Sequence, residues 1–215
     1  MRPFRRTIET LELDGGILCL NFVNTVKSRF ESPLHEYIVN YNDLILWSVR
    51  TNICNSESAG KLKFYIQRNE ENAPKDLNRI MKTREVLYRI FLCISKKKSP
   101  SNNDIRYFNK QLSIVFSLIS LEINENLDIN VVWSTNSFNF QMILIPIIKS
   151  AYDLLTSDIK TRIKECPNCG WLFLDKSKNN TRQWCNMNTC GNTIKIKKYY
   201  ERTRMKRMDK HNRDF

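Results

Sequence analysis

Four of the seven cysteines stand in a pattern that can bind a metal: Cys166-x2-Cys169, fifteen intervening residues, then Cys185-x4-Cys190. Two thiolates two residues apart can turn tightly around one ion, and a second pair returned by a hairpin-sized insert closes a tetrahedral S4 shell. Gly170 and Gly191 each follow a cysteine, where the backbone must bend closely around the sulfurs. The chemistry expected is one structural Zn2+ ion. The competing arrangements are two disulfides, which need an oxidising compartment, or four unrelated buried thiols. Met1-Arg2-Pro3-Phe4-Arg5-Arg6 is basic, but no apolar stretch of an export signal follows it. Cys19, Cys54 and Cys93 are scattered among apolar residues, as reduced core thiols are. The expectation is a cytoplasmic protein with no membrane span, because the longest apolar run, Met142 to Ile148, is too short to cross a bilayer.

The formal net charge of +13 is unevenly placed. Residues 160–215 hold 15 Lys+Arg against 5 Asp+Glu, whereas residues 1–159 hold 20 against 17. The chain therefore divides into a nearly neutral body, 1–159, and a basic metal-binding module, 160–215. Such a module suits a polyanion partner; the alternative is a solvated tail.

The elements that must position the cysteines are mainly helical. A turn at Asp14-Gly15-Gly16 precedes a buried helix expected over Ile17 to Arg29. Asn21, Asn24 and Thr25 interrupt its apolar stripe; they either satisfy local backbone groups or line a polar pocket. Asn42 offers an N-cap to a short helix through Arg50, and Ser56 starts another to about Arg68. The longest helix begins near Pro74 and ends at Lys96-Lys97-Lys98, lysines that suit a helix C-terminus. Arg84 lies on its apolar stripe and is expected to pair with a carboxylate from another helix. Asn102 or Asn103 caps a helix through about Phe116. A β-hairpin follows, around Asn124-Glu125-Asn126, and then a helix from Phe138 to Ser157 kinked at Pro146.

Within the module, Trp171 to Leu174 reads as one strand and Thr181 to Trp184 as its return, with Trp171, Phe173 and Trp184 covering the metal. After Cys190 the chain is helical to about Met205. A knuckle, a hairpin and a helix carrying the last ligand near its start form a treble-clef-like zinc finger. On that helix Gly191, Lys195, Lys198, Arg202 and Lys206 share one face, and Ile196, Tyr200 and Thr203 lie about a quarter-turn away. Lys195, Lys198, Arg202 and Lys206, with Arg182, are the candidate nucleic-acid contacts, and Gly191 would let a phosphate backbone approach closely. The alternative is a solvated helix face.

These residues carry a family resemblance. Cys169-Gly170-Trp171-Leu172-Phe173-Leu174-Asp175, Ser177, Arg182, Trp184-Cys185, Met187 and Cys190-Gly191-Asn192 closely resemble the CGNR-type zinc finger. That finger usually closes a bacterial protein whose N-terminal part is an ABATE domain, the mark of a family of stress-induced transcription regulators. Leu18 to Thr25, Tyr41-Asn42-Asp43-Leu44 with Trp47, and Arg84 to Tyr88 are similar to segments of that domain. The resemblance implies a mainly helical body, a structural zinc and a DNA-binding role. Two positions depart from it: Thr193 replaces the arginine that names the finger, and Asn21 stands where an aspartate is expected. Lys195 matches the expected lysine.

The function expected is a DNA-binding transcription regulator, with a body that senses a small-molecule effector or mediates assembly, as in a homodimer. An RNA-binding or protein-interaction finger is the alternative. An enzyme is not expected. Four thiolates leave zinc no open position for water, the only histidines are His35 and His211, and no nucleophile–base constellation is visible.

Overall fold

The computed structural model describes residues 7–133 and 141–211, with the side chains of Trp133 and of residues 206–211 outside that description. The Lys206 side chain and the expected helix start at Phe138 therefore lie outside that description. The chain is mainly helical: α1 (Leu18–Val23), α2 (Tyr41–Arg50), α3 (Ser56–Arg68), α4 (Ala73–Ser95), α5 (Asn102–Phe116), hairpin β1 (Ile119–Ile123) and β2 (Ile129–Trp133), then α6 (Gln141–Thr156). The finger supplies β3 (Ile163–Glu165), β4 (Leu172–Leu174), a π-helical turn at Met187–Gly191, and α7 (Asn192–His211). No helix among the described residues is long and apolar enough to cross a membrane.

Most starts follow their caps. Asn55 accepts from the Ser58 amide before α3, and Ser101, rather than the expected Asn102 or Asn103, accepts from the Asp104 amide before α5. The α2 cap is Asn40 rather than Asn42, because Asn40 and Asp43 satisfy each other's backbone amides in a capping box. Pro74 sits in the first turn of α4, where its missing N–H has no partner to lose.

The first helix is shorter than its apolar stripe predicts. It stops at Val23, because the following backbone bonds elsewhere: Tyr37 N–H donates to Thr25 O at 3.1 Å and Lys27 N–H to His35 O at 2.9 Å. The Arg29 N–H donates to Cys169 O at 2.7 Å. Residues 24–29 thus become an extended strap running from α1 to the metal knuckle.

Arg84 pairs with carboxylates, but not as expected. Its buried guanidinium takes Glu36, in the loop before α2, through two nitrogens at 2.6 and 2.7 Å, and its own neighbour Glu85 at 2.7 Å. Burial alone would lower its pKa; hydrogen bonding to Glu36 and the charge of Glu85 raise it instead.

One hydrophobic core runs from Leu20, Phe22, Trp47, Leu87 and Phe91 into Trp171, Leu172 and Phe173 of the finger. The boundary expected between 159 and 160 falls within a 3-10 turn, Asp158–Arg162, that leads straight into β3.

Candidate metal centre and the helix it carries

The hairpin that presents Cys166 and Cys169 is built from residues before and after the first pair. β3 and β4 are antiparallel, with Ile163 opposite Leu174 and Glu165 opposite Leu172. This corrects the strand expected over Thr181–Trp184. That segment is engaged by side chains instead: the Arg182 amide donates to Asp175 Oδ2 at 2.9 Å, and Lys164 Nζ donates to Asn180 O at 2.6 Å and Arg182 O at 3.1 Å. Between the cysteines, the Gly170 N–H donates to Cys166 O and the Cys166 N–H to Trp171 O, both at 2.8 Å. Gly170 has φ +73, and a Cβ there would meet Arg29 Cβ at 2.7 Å. The tight turn and the strap together exclude any side chain at that position.

Cys166, Cys169, Cys185 and Cys190 are all buried, and their sulfurs lie within 4.8 Å of one another. The Cys169–Cys185 and Cys185–Cys190 sulfurs are each 3.6 Å apart. Disulfide sulfurs sit at about 2.05 Å, whereas sulfurs at about 2.3 Å around one tetrahedral zinc are about 3.8 Å apart. All seven cysteines are unbridged, and the donor set fits one structural Zn2+. The four sulfurs share their protons unequally. Hydrogen bonding from Cys169, then Cys185 and Cys190, pulls the Cys166 thiol well down, while contact with Cys166 pushes Cys169 and Cys185 up. Holding all four as thiolates requires a cation among them.

The second pair arrives on a separate support. Asn186 Oδ1 accepts from the Asn188 amide at 2.9 Å and the Thr189 amide at 3.4 Å, starting the turn that carries Cys190. Its Nδ2 donates to Glu12 at 3.0 Å and Asp14 at 3.1 Å, tying the turn to the segment ahead of α1. Burial, with the Glu12 charge adding, pushes the Asp14 carboxyl up to about 6 against the Asn186 bond.

Asp175 organises the loop between the cysteine pairs, a role the spacing argument missed. It is fully buried and accepts from Lys164 Nζ at 2.7 Å, the Ser177 amide at 2.8 Å and the Ser177 hydroxyl at 2.6 Å. Burial alone would raise its carboxyl; Lys164 and Ser177 hold it far below the carboxylate range. The available signal was its place in the motif beside Ser177 and Arg182. Asn24 joins body to finger: its Nδ2 donates to Leu172 O at 2.8 Å and its Oδ1 accepts from Leu172 N at 3.0 Å. Asn21 Oδ1 accepts from Gly15 N at 2.9 Å, and Thr25 Oγ1 donates to Phe22 O at 2.9 Å. Asn21 and Asn24 thus bond backbone groups, while Thr25 Oγ1 also accepts from the Arg84 guanidinium at 3.2 Å.

The candidate nucleic-acid residues separate into two groups. Lys195, Lys198 and Arg202 are exposed on α7. Arg182 is turned inward: its Nε donates to Trp184 O at 2.9 Å, it also reaches Cys185 O, and its guanidinium lies 4.6 Å from the Phe173 ring centroid. Arg182 thus braces the metal loop. Gly191, expected to admit a phosphate, is buried, and a Cβ there would meet Met187 Sδ at 2.5 Å. Thr193 Oγ1 donates back to Thr189 O at 2.9 Å. The residue also forms part of the wall of a cleft of about 300 Å3 beside Cys169, Cys185 and Cys190.

No curated protein gives a significant match to the chain. Residues 162–203, which span β3, both cysteine pairs and the first three turns of α7, match the model of the CGNR zinc finger.

Proposed function

We propose that this chain is a non-enzymatic regulator in which zinc folds the finger and α7 contacts the phosphates of duplex DNA. The observation that carries the reading is the exposure of α7 as a basic helix. From Asn192 to Met205 it holds Lys195, Lys197, Lys198, Arg202 and Arg204 against Glu201 alone, all exposed. Phosphate contact by Lys and Arg supplies most non-specific affinity for nucleic acid. The metal anchors the start of this helix, so the charge row is held at a fixed angle to the finger. A shell of four thiolates supports a structural role for the metal, since it leaves no position for water.

The ABATE-like reading of residues 1–159 gives the body the sensing role. A cleft of about 570 Å3 between α1, the end of α2 and α6 offers a place for a small-molecule effector. Its walls include Leu18, Ile53, Ile145 and Pro146, with the Lys149–Asp153 ion pair at its edge.

The test is a binding selection by the zinc-loaded chain from random duplex DNA and single-stranded RNA pools. Enrichment of a duplex motif supports the regulator; sequence-blind preference for RNA overturns it in favour of an RNA-binding finger.

A further inference from the structure

The β1–β2 hairpin leaves an apolar face in solvent. Its register places Leu121 opposite Val131 and Ile123 opposite Ile129, so these apolar residues fall on one side of the ribbon. Leu121 and Ile123 are each 61% exposed, Ile129 63% and Val131 56%. The two strands form a sheet of their own, and an isolated two-stranded ribbon is marginal in water. Something of complementary character is needed to cover it.

Charge narrows the choice. Between Lys110 and Lys149 the sequence contains no Lys or Arg, and its only charges are Glu122, Glu125 and Asp128. All three belong to the hairpin, an acidic element in a chain of net charge +13. Two hairpins meeting each other would bring these carboxylates together. A basic amphipathic element suits the face better, and the chain carries one. On α7, Ile196, Tyr199 and Tyr200 are 56%, 67% and 67% exposed. At 100° per residue they form one stripe with Thr203, bordered by Lys197 and Arg204 on one side and Lys195 and Arg202 on the other. Along α7 the stripe from Ile196 to Thr203 rises about 10 Å, about two turns, and fits within the roughly 17 Å that five strand residues span.

We infer that two copies of this chain associate by laying the Ile196–Tyr200 stripe of each α7 on the β1–β2 hairpin of the other. Two such contacts related by a two-fold axis form a closed, self-limiting pair. Each contact matches apolar face to apolar face, with carboxylates at the hairpin tip meeting lysines and arginines beside the stripe. Lys195 and Arg202 are shared between this contact and the proposed phosphate-contacting row, whereas Lys198 points away from the stripe; self-association can be measured without nucleic acid.

Sedimentation equilibrium of the full, zinc-loaded chain tests it. The wild type should be a dimer that dissociates at least tenfold more readily in Leu121→Ser/Val131→Ser and, separately, in Ile196→Ser/Tyr200→Ser. Mixing the two variants should restore dimers beyond either alone, since the intact helix of one can occupy the intact hairpin of the other. Glu125→Lys, an exposed substitution that leaves the packing alone, should weaken the dimer several-fold, and circular dichroism with zinc content reports folding for every variant. A monomeric wild type overturns the inference. So does a dimer lost with the hairpin variant but kept with the helix variant, a mixture no better than its components, or a dimer indifferent to Glu125→Lys.

Discussion

Replacing Asn24 with alanine probes how the finger is held on the body. Asn24 is 2% exposed and Leu172 fully buried, so no water substitutes for the lost amide. The change strands one N–H and one C=O of Leu172, which bond Asn24 at 3.0 and 2.8 Å. A buried polar group left without a partner costs about 1–3 kcal/mol. Two of them place the destabilisation at about 2–6 kcal/mol, a large part of the total for a domain of this size. Urea unfolding of the zinc-loaded protein measures this as a lower midpoint at unchanged slope. Hydrogen exchange gives the local readout, with the Leu172 amide losing protection before those of α4. Asn24→Asp keeps the acceptor but trades the donor for a buried carboxylate, so it should be no milder. A loss below about 0.5 kcal/mol, with Leu172 protection unchanged, would refute the claim that this amide clamps β4 to α1.

Other perturbations give equally definite outcomes. Cys185→Ser opens the sulfur shell, so zinc measured after purification should fall well below one equivalent; full retention would contradict the four-sulfur site. Arg84→Met removes the guanidinium that Glu36 and Glu85 hold at 2.6–2.7 Å. Since both carboxylates are about a third exposed and Glu85 keeps Arg29 at 2.7 Å, it should destabilise by about 1–3 kcal/mol in the same urea assay. Asp14 has its carboxyl pushed from 3.8 to about 6 by burial, so its contribution to stability is complete below about pH 4 and is lost as pH rises through 6. Asp14→Asn should flatten that decline and raise stability at pH 7 by about 1 kcal/mol, the full shift of ~3 kcal/mol being discounted for its half-exposed setting. Melting temperatures across pH 4–8 that run parallel in the two proteins would contradict it.

The metal centre was legible because ligand spacing is local chemistry: two cysteine pairs state the shell wherever the chain runs between them. Helices α3 to α6 were legible for a similar reason, since an apolar stripe, an Asn or Ser cap and a proline in the first turn act within a few residues. Asn124-Glu125-Asn126 between alternating runs marked β1 and β2 in the same way. What escaped the sequence was set by distant partners. The stripe of Leu18, Phe22 and Val26 continues past α1, yet the backbone at Thr25 and Lys27 is claimed by Tyr37 and His35. The return strand expected at Thr181–Trp184 alternated plausibly, but Lys164 and Asp175 take its backbone groups, and β3 lies before the first cysteine. Arg182 counted as a basic contact by type alone; only the fold shows its guanidinium against Phe173 and the carbonyls of Trp184 and Cys185. Charge type is a property of the sequence, whereas its direction belongs to the packing.

The central claim is that α7 reads nucleic acid through the phosphate backbone, and salt dependence tests it most directly. Affinity for one duplex should be measured at several salt concentrations for the wild type and for Lys195→Ala/Lys198→Ala/Arg202→Ala. These side chains are exposed, so zinc content should not change and stability should move by less than about 0.5 kcal/mol for each. If each neutralises one phosphate, the slope of log K against log salt falls by roughly 0.9 per contact, about 2.7 in all, and affinity drops at every salt concentration. Unchanged affinity and slope in a folded, zinc-replete triple variant would contradict the account and remove α7 as the reading helix.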